Sequence, residues 1–185
     1  MISAFPAVEL ADPDGLLAVG GDLEVESLKL AYSQGIFPWP MGKIELLWWA
    51  PPRRSVLFLN DFHIPKRLLR TWKQHKFDFK INHDFKAVIQ GCANVLRKGQ
   101  RGTWITANFI DAYTNLFMAG YCYSVECYDR TTKQLLAGIY GPTIGKMVAG
   151  ESMFHIHTDA SKLCIIYLVN FLREHGVQWI DFQVH

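Results

Sequence analysis

The chain has 185 residues, 50% of them hydrophobic and 19% charged, which excludes a disordered chain and suits one ordinary domain or one domain with a small annex. Its net charge of +2 by itself predicts no polyanionic partner. The charge is lopsided, however: residues 53–101 hold twelve Lys/Arg against Asp61, Asp78 and Asp84, while the remainder is acidic. That stretch is either one polyanion-facing surface or a solvated basic face.

Residues 1–54 are dense in Pro, Gly and Trp and allow only short elements. One helix is expected over 25–34, closed by Gly35. From Ser55 the texture changes. SVLFL (55–59) reads as a strand, and Pro65 opens a helix running to Lys76. On that helix Lys66, Arg70 and Lys73 share one face, and Leu68, Leu69 and Trp72 another. FDFKIN (77–82) alternates as a strand does, and Asp84 caps a helix over Phe85–Leu96. RKGQRG reads as a basic turn and TWIT as a short extended segment. Asn108 caps a helix to Met118. Strands follow at 121–129, 134–141 and 147–154. Asp159 then caps an amphipathic helix over 160–174, and a last strand covers 177–184. This order implies an α+β sheet with helices on its faces. By analogy, a split in such a sheet is where N-acetyltransferases hold their acyl donors.

Several motifs invite chemistry. GIYGPTIGK (138–146) is one residue short of a Walker A loop and lies between strands, so it reads as a hairpin. His155 and His157 alternate on one side of a strand, a weak metal signal without a third ligand, and no metal is expected. No G-x-S-x-G is present, and the four cysteines lack CxxC spacing; they read as free thiols in a reducing cytosol. Two polar spots sit where polar residues are costly. Glu151 interrupts an apolar strand, and Asp181 and Gln183 alternate with Ile180, Phe182 and Val184. Each alone is equally a structural hydrogen bond or a catalytic group, but three on adjacent strands favour a polar pocket. Trp39, Trp48, Trp49 and Trp104 accompany the basic stretch, either as core or as base-stacking rings. The N-terminus lacks the basic and apolar regions of a signal peptide, and no uncharged apolar run reaches the roughly 18 residues of a spanning helix. A soluble, cytoplasmic protein without membrane contact is expected.

Seven ordered blocks resemble the leucyl/phenylalanyl-tRNA–protein transferases. They are DGLLAVGGDL (14–23), AY and GIFPW (31–39), WWAP (48–51) followed by Arg53, GTWIT (102–106), GESMF (150–154), ASK (160–162) and IDFQV (180–184). The resemblance implies transfer of Leu or Phe, and less well Met, from aminoacyl-tRNA to the N-terminal Arg or Lys of a protein, which creates an N-degron. It implies a small N-terminal domain (1–54) and a larger N-acetyltransferase-like, or GNAT-like, domain (55–185). No cofactor is implied, and a monomer is expected. Gln183 would contact the attacking amine, Asp181 would orient or polarise it, and Glu151 would hold the amine or the acceptor's basic end. Trp39 and Trp104 would line the site for the tRNA 3′ adenosine, with Ser152 nearby. Ile139, Val148, Leu168 and Ile180 would line the amino-acid pocket; Ile139 and Val148 stand where the family often has Met and Phe. Lys66, Arg67, Arg70, Lys73 and Lys76 would meet the acceptor stem. The chain ends at His185 where the family continues, so a C-terminally incomplete form is expected. A tRNA-binding relative without transfer activity is the alternative. A CoA-dependent acetyltransferase would need a Q/R-x-x-G-x-G/A loop before a helix, which is not found.

Overall fold

The computed structural model describes residues 1–40, 46–95 and 103–184. The expected basic turn at 97–102, the end of the helix before it and His185 lie outside the described residues.

The N-terminal elements are short, as the Pro and Gly punctuation requires. Strands β1 (Leu16–Val19), β2 (Phe37–Pro38) and β3 (Leu47–Trp49) form an antiparallel sheet in the order β1-β3-β2. Helix α1 (Val25–Ser33) lies between β1 and β2 in sequence, and Gly35 follows it in the left-handed region. Next come β4 (Val56–Phe58) and helix α2 (Lys66–Lys73), which stops short of Lys76 because His75 turns to φ 52°. The large sheet contains β5 (Phe77–Ile81), β6 (Cys122–Asp129) and β7 (Leu135–Ile144), all antiparallel. Two helices, α3 (Phe85–Asn94) and α4 (Ala107–Met118), separate β5 from β6. The Asp84 carboxylate caps α3 by accepting from the Ala87 N–H at 3.0 Å.

Alternation along β6 sorts its side chains between two cores. Tyr123, Val125 and Cys127 join one cluster with α2 and α5 (Ala160–Glu174). Cys122 joins the other, with α1, α3, α4 and the N-terminal aromatics. The sheet is thus packed on both faces. Glu126, fully buried on β6, accepts from the Ser124 hydroxyl and from the backbone N–H groups of His83 and Asp84, fixing the turn into α3.

Five expectations need correction. Thr106, not Asn108, precedes α4, and TWIT forms a turn in which the Thr103 hydroxyl accepts from the Ile105 N–H. Asp159 makes no capping bond to α5; it sits at φ 66° and its carboxylate pairs instead with Arg67 and Lys162. The expected strand over 147–154 is two strands, β8 (Met147–Val148) and β9 (Ser152–His155), both paired to β7. The last strand is only β10 (Trp179–Asp181), and Gln183 beyond it has φ 65°.

The break between β8 and β9 has a steric cause. A Cβ on Gly141 would stand 1.8 Å from the Ala149 carbonyl oxygen, so only glycine lets 149–151 bulge against β7 there. The bulged segment is held by Ala149 N–H to the Pro142 carbonyl and Glu151 N–H to the Tyr140 carbonyl, each 2.9 Å. Ala149 also makes an isolated parallel bridge to Asp181, which carries β10 and its antiparallel partner β4 beside β8. Gly141→Ala should cost roughly 2–4 kcal/mol, because the atom it meets is backbone. Thermal melts should then show a midpoint lowered by roughly 5–15 °C.

Candidate active site

The irregularity opposite Gly141 presents Glu151 to three separate segments. Its Oε2 accepts from the Tyr32 hydroxyl of α1 at 2.7 Å and from Gln183 Nε2 at 2.8 Å. Its Oε1 accepts from the Tyr113 hydroxyl of α4 at 3.2 Å. Tyr32 and Tyr113 are hydrogen-bonded to each other and buried. Glu151 is half-buried as a residue, but its carboxyl group is enclosed by this ring of donors. Burial pushes its pKa up to about 7; the three hydrogen bonds pull down, and the charge of Asp181 adds a smaller push upward. This carboxyl therefore gains or loses a proton near neutral pH.

Asp181 serves a different partner. Arg54 reaches it with both Nε and Nη2, while Arg54 Nη1 donates to the Gly35 carbonyl at 2.6 Å and the guanidinium lies over the Phe37 ring. Asp181 Oδ1 also accepts the Gln183 N–H at 2.7 Å. Asp181 thus fixes the backbone that carries the Gln183 amide. Both residues are buried. With Nε2 committed to Glu151, the Gln183 amide oxygen is the acceptor that remains for another group. The sequence puts Asp181 and Gln183 on one face of one strand; the structure brings them together by a left-handed turn after β10 instead.

The aromatic residues divide. Trp48 is 1% exposed, and its indole N–H donates to the Gly20 carbonyl, so it is core. Trp39 is 37% exposed, and its ring lies 6.5 Å from that of half-buried Trp104. From Trp104 a relay of ring contacts runs through Phe109 to Tyr113, which links this pair to Glu151. Ile139, Val148, Leu168 and Ile180 are buried together in the α5-side cluster. Ser152, also buried, starts β9 directly after Glu151.

The basic stretch is less uniform than its sequence. Lys66, Arg70, Lys73 and Lys76 are exposed without a carboxylate partner among the described residues. Arg67 pairs with Asp159 at 2.8 Å, and Arg54 belongs to the Asp181 site. Cys92, Cys122, Cys127 and Cys164 are free and buried. Burial, and then the charge of Glu151, pushes the Cys122 thiol far up, so it carries no thiolate for attack. His155 and His157 turn to different neighbours: His155 Nδ1 lies 3.3 Å from the Ser161 hydroxyl, while His157 packs its ring on Phe77.

Three site members were not singled out from the sequence. Tyr32 and Tyr113 sit on helices at positions that read as core, and Arg54 counts there only as one more basic residue. Tyr32 adjoins the GIFPW block, which was a usable signal. Nothing local marks Tyr113.

Comparison with known proteins follows the same residues. The family model for the leucyl/phenylalanyl-tRNA protein transferase matches residues 56–185, and that for the family's N-terminal domain matches residues 21–52. A leucyl/phenylalanyl-tRNA–protein transferase of Solidesulfovibrio magneticus is 46% identical over 179 residues, covering 97% of this chain and 72% of the relative. One from Xylella fastidiosa is 45% identical over 97% of this chain and 74% of its own length. One from Anaeromyxobacter dehalogenans is 44% identical over 98% and 77%. Among solved structures, L-PGS from Bacillus licheniformis superposes loosely, with a TM-score of 0.49 and 13% identity over 90% of this chain; this chain spans 52% of it. The sequence matches define an aminoacyl-tRNA-dependent transferase. The chain belongs to the leucyl/phenylalanyl-tRNA–protein transferase family.

The raised pKa of Glu151 makes stability depend on pH with a defined sign. The folded carboxyl holds its proton more tightly than an unfolded one near 4.5, so the stabilisation is present at low pH and lost as pH rises through about 7. Carboxylates held below their usual range, such as Asp22, Asp78 and Asp159, act in the opposite sense only in more acidic solution. The melting temperature should therefore fall from pH 5 to 8, and Glu151→Gln should flatten that decline in melts across the range.

Proposed function

We propose that this protein transfers Leu or Phe, and less well Met, from aminoacyl-tRNA to the N-terminal Arg or Lys of acceptor proteins, marking them for degradation. The observation that carries the mechanism is the Gln183–Glu151 pair. Attack of an amine on an aminoacyl ester needs no enzyme nucleophile, since the ester is already activated, and the buried thiols fit that requirement. What it needs is proximity and a path for one proton. The amine nitrogen bonds to the ester carbonyl carbon, and the bond from that carbon to the ribose oxygen breaks. The nitrogen loses one proton, and the departing ribose oxygen gains one. Gln183, through its amide oxygen, positions the amine N–H. An amide is too weak a base to keep the proton, whereas Glu151 titrates near 7 one hydrogen bond away. Asp181, anchored by Arg54, is the positioning residue that keeps Gln183 in its left-handed turn.

Trp39 and Trp104 would receive the 3′ adenosine, the adjacent rings offering it a stacking surface. Ile139, Val148, Leu168 and Ile180 would shape the pocket for the transferred side chain, with Ser152 at its polar edge. The acidic groups Glu151 and Asp181 suit an acceptor whose first residue is cationic. Residues 1–54 would act as a small N-terminal domain and 55–185 as a GNAT-like domain. The texture change at Ser55 supports that division, and the mixed arrangement of helices on an antiparallel sheet suits that likeness. No helix among the described residues is long and apolar enough to cross a membrane, and we read the protein as a cytoplasmic monomer.

The test is transfer of labelled Leu from Leu-tRNA to a protein with N-terminal Arg. Gln183→Ala and Asp181→Ala should each lower transfer by on the order of 10- to 1000-fold while leaving tRNA affinity within a few-fold. Wild-type rates in both variants would remove these residues from the site. Exposed Lys66, Arg70 and Lys73 would meet the acceptor-stem phosphates. Their joint replacement by Ala should flatten the slope of log affinity against log salt by roughly 2–3 in a tRNA titration. Arg67→Ala should change that slope less, because Asp159 already neutralises it.

A further inference from the structure

A groove of about 480 Å³ lies away from Glu151, between the C-terminal end of α2, strand β5 and helix α5. Its size falls within the roughly 300–1,000 Å³ of small-ligand sites. β5 is the edge of the large sheet and pairs, among the described residues, with β6 alone. One wall is a stack of three rings. Trp72 and Phe79 lie 5.0 Å apart at 28°, and Phe79 and Tyr167 lie 5.2 Å apart at 16°. Phe79 is the middle ring, so Trp72 and Tyr167 each keep one face that it does not cover, and both are half-buried.

The charge around these rings is positive. Lys80 and Arg130 line the groove. Lys73 and Lys76, on either side of His75, are exposed and carry no carboxylate partner among the described residues. Asp78 is the one carboxylate among the lining residues, and it is spent: Arg130 Nε donates to it at 2.8 Å and Lys133 Nζ at 3.0 Å, which holds its pKa below the usual range. Flat π faces beside unpaired cations are what an unpaired nucleotide needs, a ring for its base and ammonium groups for its phosphates. An acceptor peptide with a cationic N-terminal residue meets the wrong charge here.

We propose that this groove is a second tRNA contact, in which an unpaired nucleotide stacks on Trp72 and its phosphates meet Lys76 and Lys80. It rests on the reading of α2 as a tRNA-binding helix and extends that surface past the helix end onto β5. The groove then contributes to affinity for the whole tRNA but nothing to the reacting ester.

Two readouts test this. In anisotropy titrations with labelled deacylated tRNA, Trp72→Leu should weaken binding about tenfold and Lys76→Ala a few-fold. In transfer assays, both should raise KM for Leu-tRNA by similar factors and leave KM for a leucyladenosine ester within twofold. Unchanged tRNA affinity in both variants overturns the proposal. So does an equal loss with the small ester, which marks general damage, or a raised KM for the acceptor peptide instead, which makes the groove a peptide site. Lys76→Ala changes an exposed side chain, so it decides the matter if Trp72→Leu folds poorly. Should the wild type transfer from neither ester, the transferase reading fails while the titrations still judge the groove.

Discussion

The close approach of the Ala149 carbonyl to Cα of Gly141 governs the layout of this molecule. No side chain fits between the two backbones, and the chain uses that absence to shift register by one residue along the edge of β7 as it passes from β8 to β9. The carbonyl that makes the approach is itself held by the Tyr123 hydroxyl at 3.0 Å. The one-residue shift turns Glu151 toward Tyr32 of α1 and Tyr113 of α4. Because Ala149 also bridges to Asp181, the same irregularity brings β10 alongside and sets Gln183 against Glu151. One steric constraint thus delivers two of the three polar groups to each other.

Glu151 then shows how burial and hydrogen bonding compete at one carboxyl. Three donors favour the charged form, and removal from water favours the neutral one. The outcome near 7 places the group where a proton can be taken or given at the ambient pH, which is the property proton transfer needs. Asp181 is instead engaged by Arg54 and by the Gln183 N–H. The two carboxylates therefore differ in their surroundings: Glu151 titrates near 7 inside a ring of donors, and Asp181 holds the Gln183 backbone.

Arg54 also ties distant parts together. Its guanidinium joins Asp181, the Gly35 carbonyl and the face of Phe37, linking the region before Ser55 to the end of the chain. Tyr32 and Tyr113 do the same from the other side of the site, and both belong to the core cluster that also contains Trp48 and Phe85. N-terminal residues thus build one wall of the site, so its geometry depends on both ends of the sequence.

Periodicity alone determined most elements, because 3.6- and 2-residue repeats are local properties: α3, α5, β5 and β6 stand close to where alternation and helical spacing put them. The ordered blocks determined the family and pointed to Glu151, Asp181 and Gln183. What escaped local reading was every feature set by a non-local contact. The strand over 147–154 is continuous by pattern, and only the contact at Gly141 breaks it. Asp159 looks like a cap, but Arg67, far away in sequence, takes its carboxylate. Arg54 looks like part of a basic surface until Asp181 folds against it. Residue types and spacing fix which groups are present; which carboxyl has its pKa raised, which arginine is consumed internally and which rings form a groove depend on distances that exist only after the chain has packed.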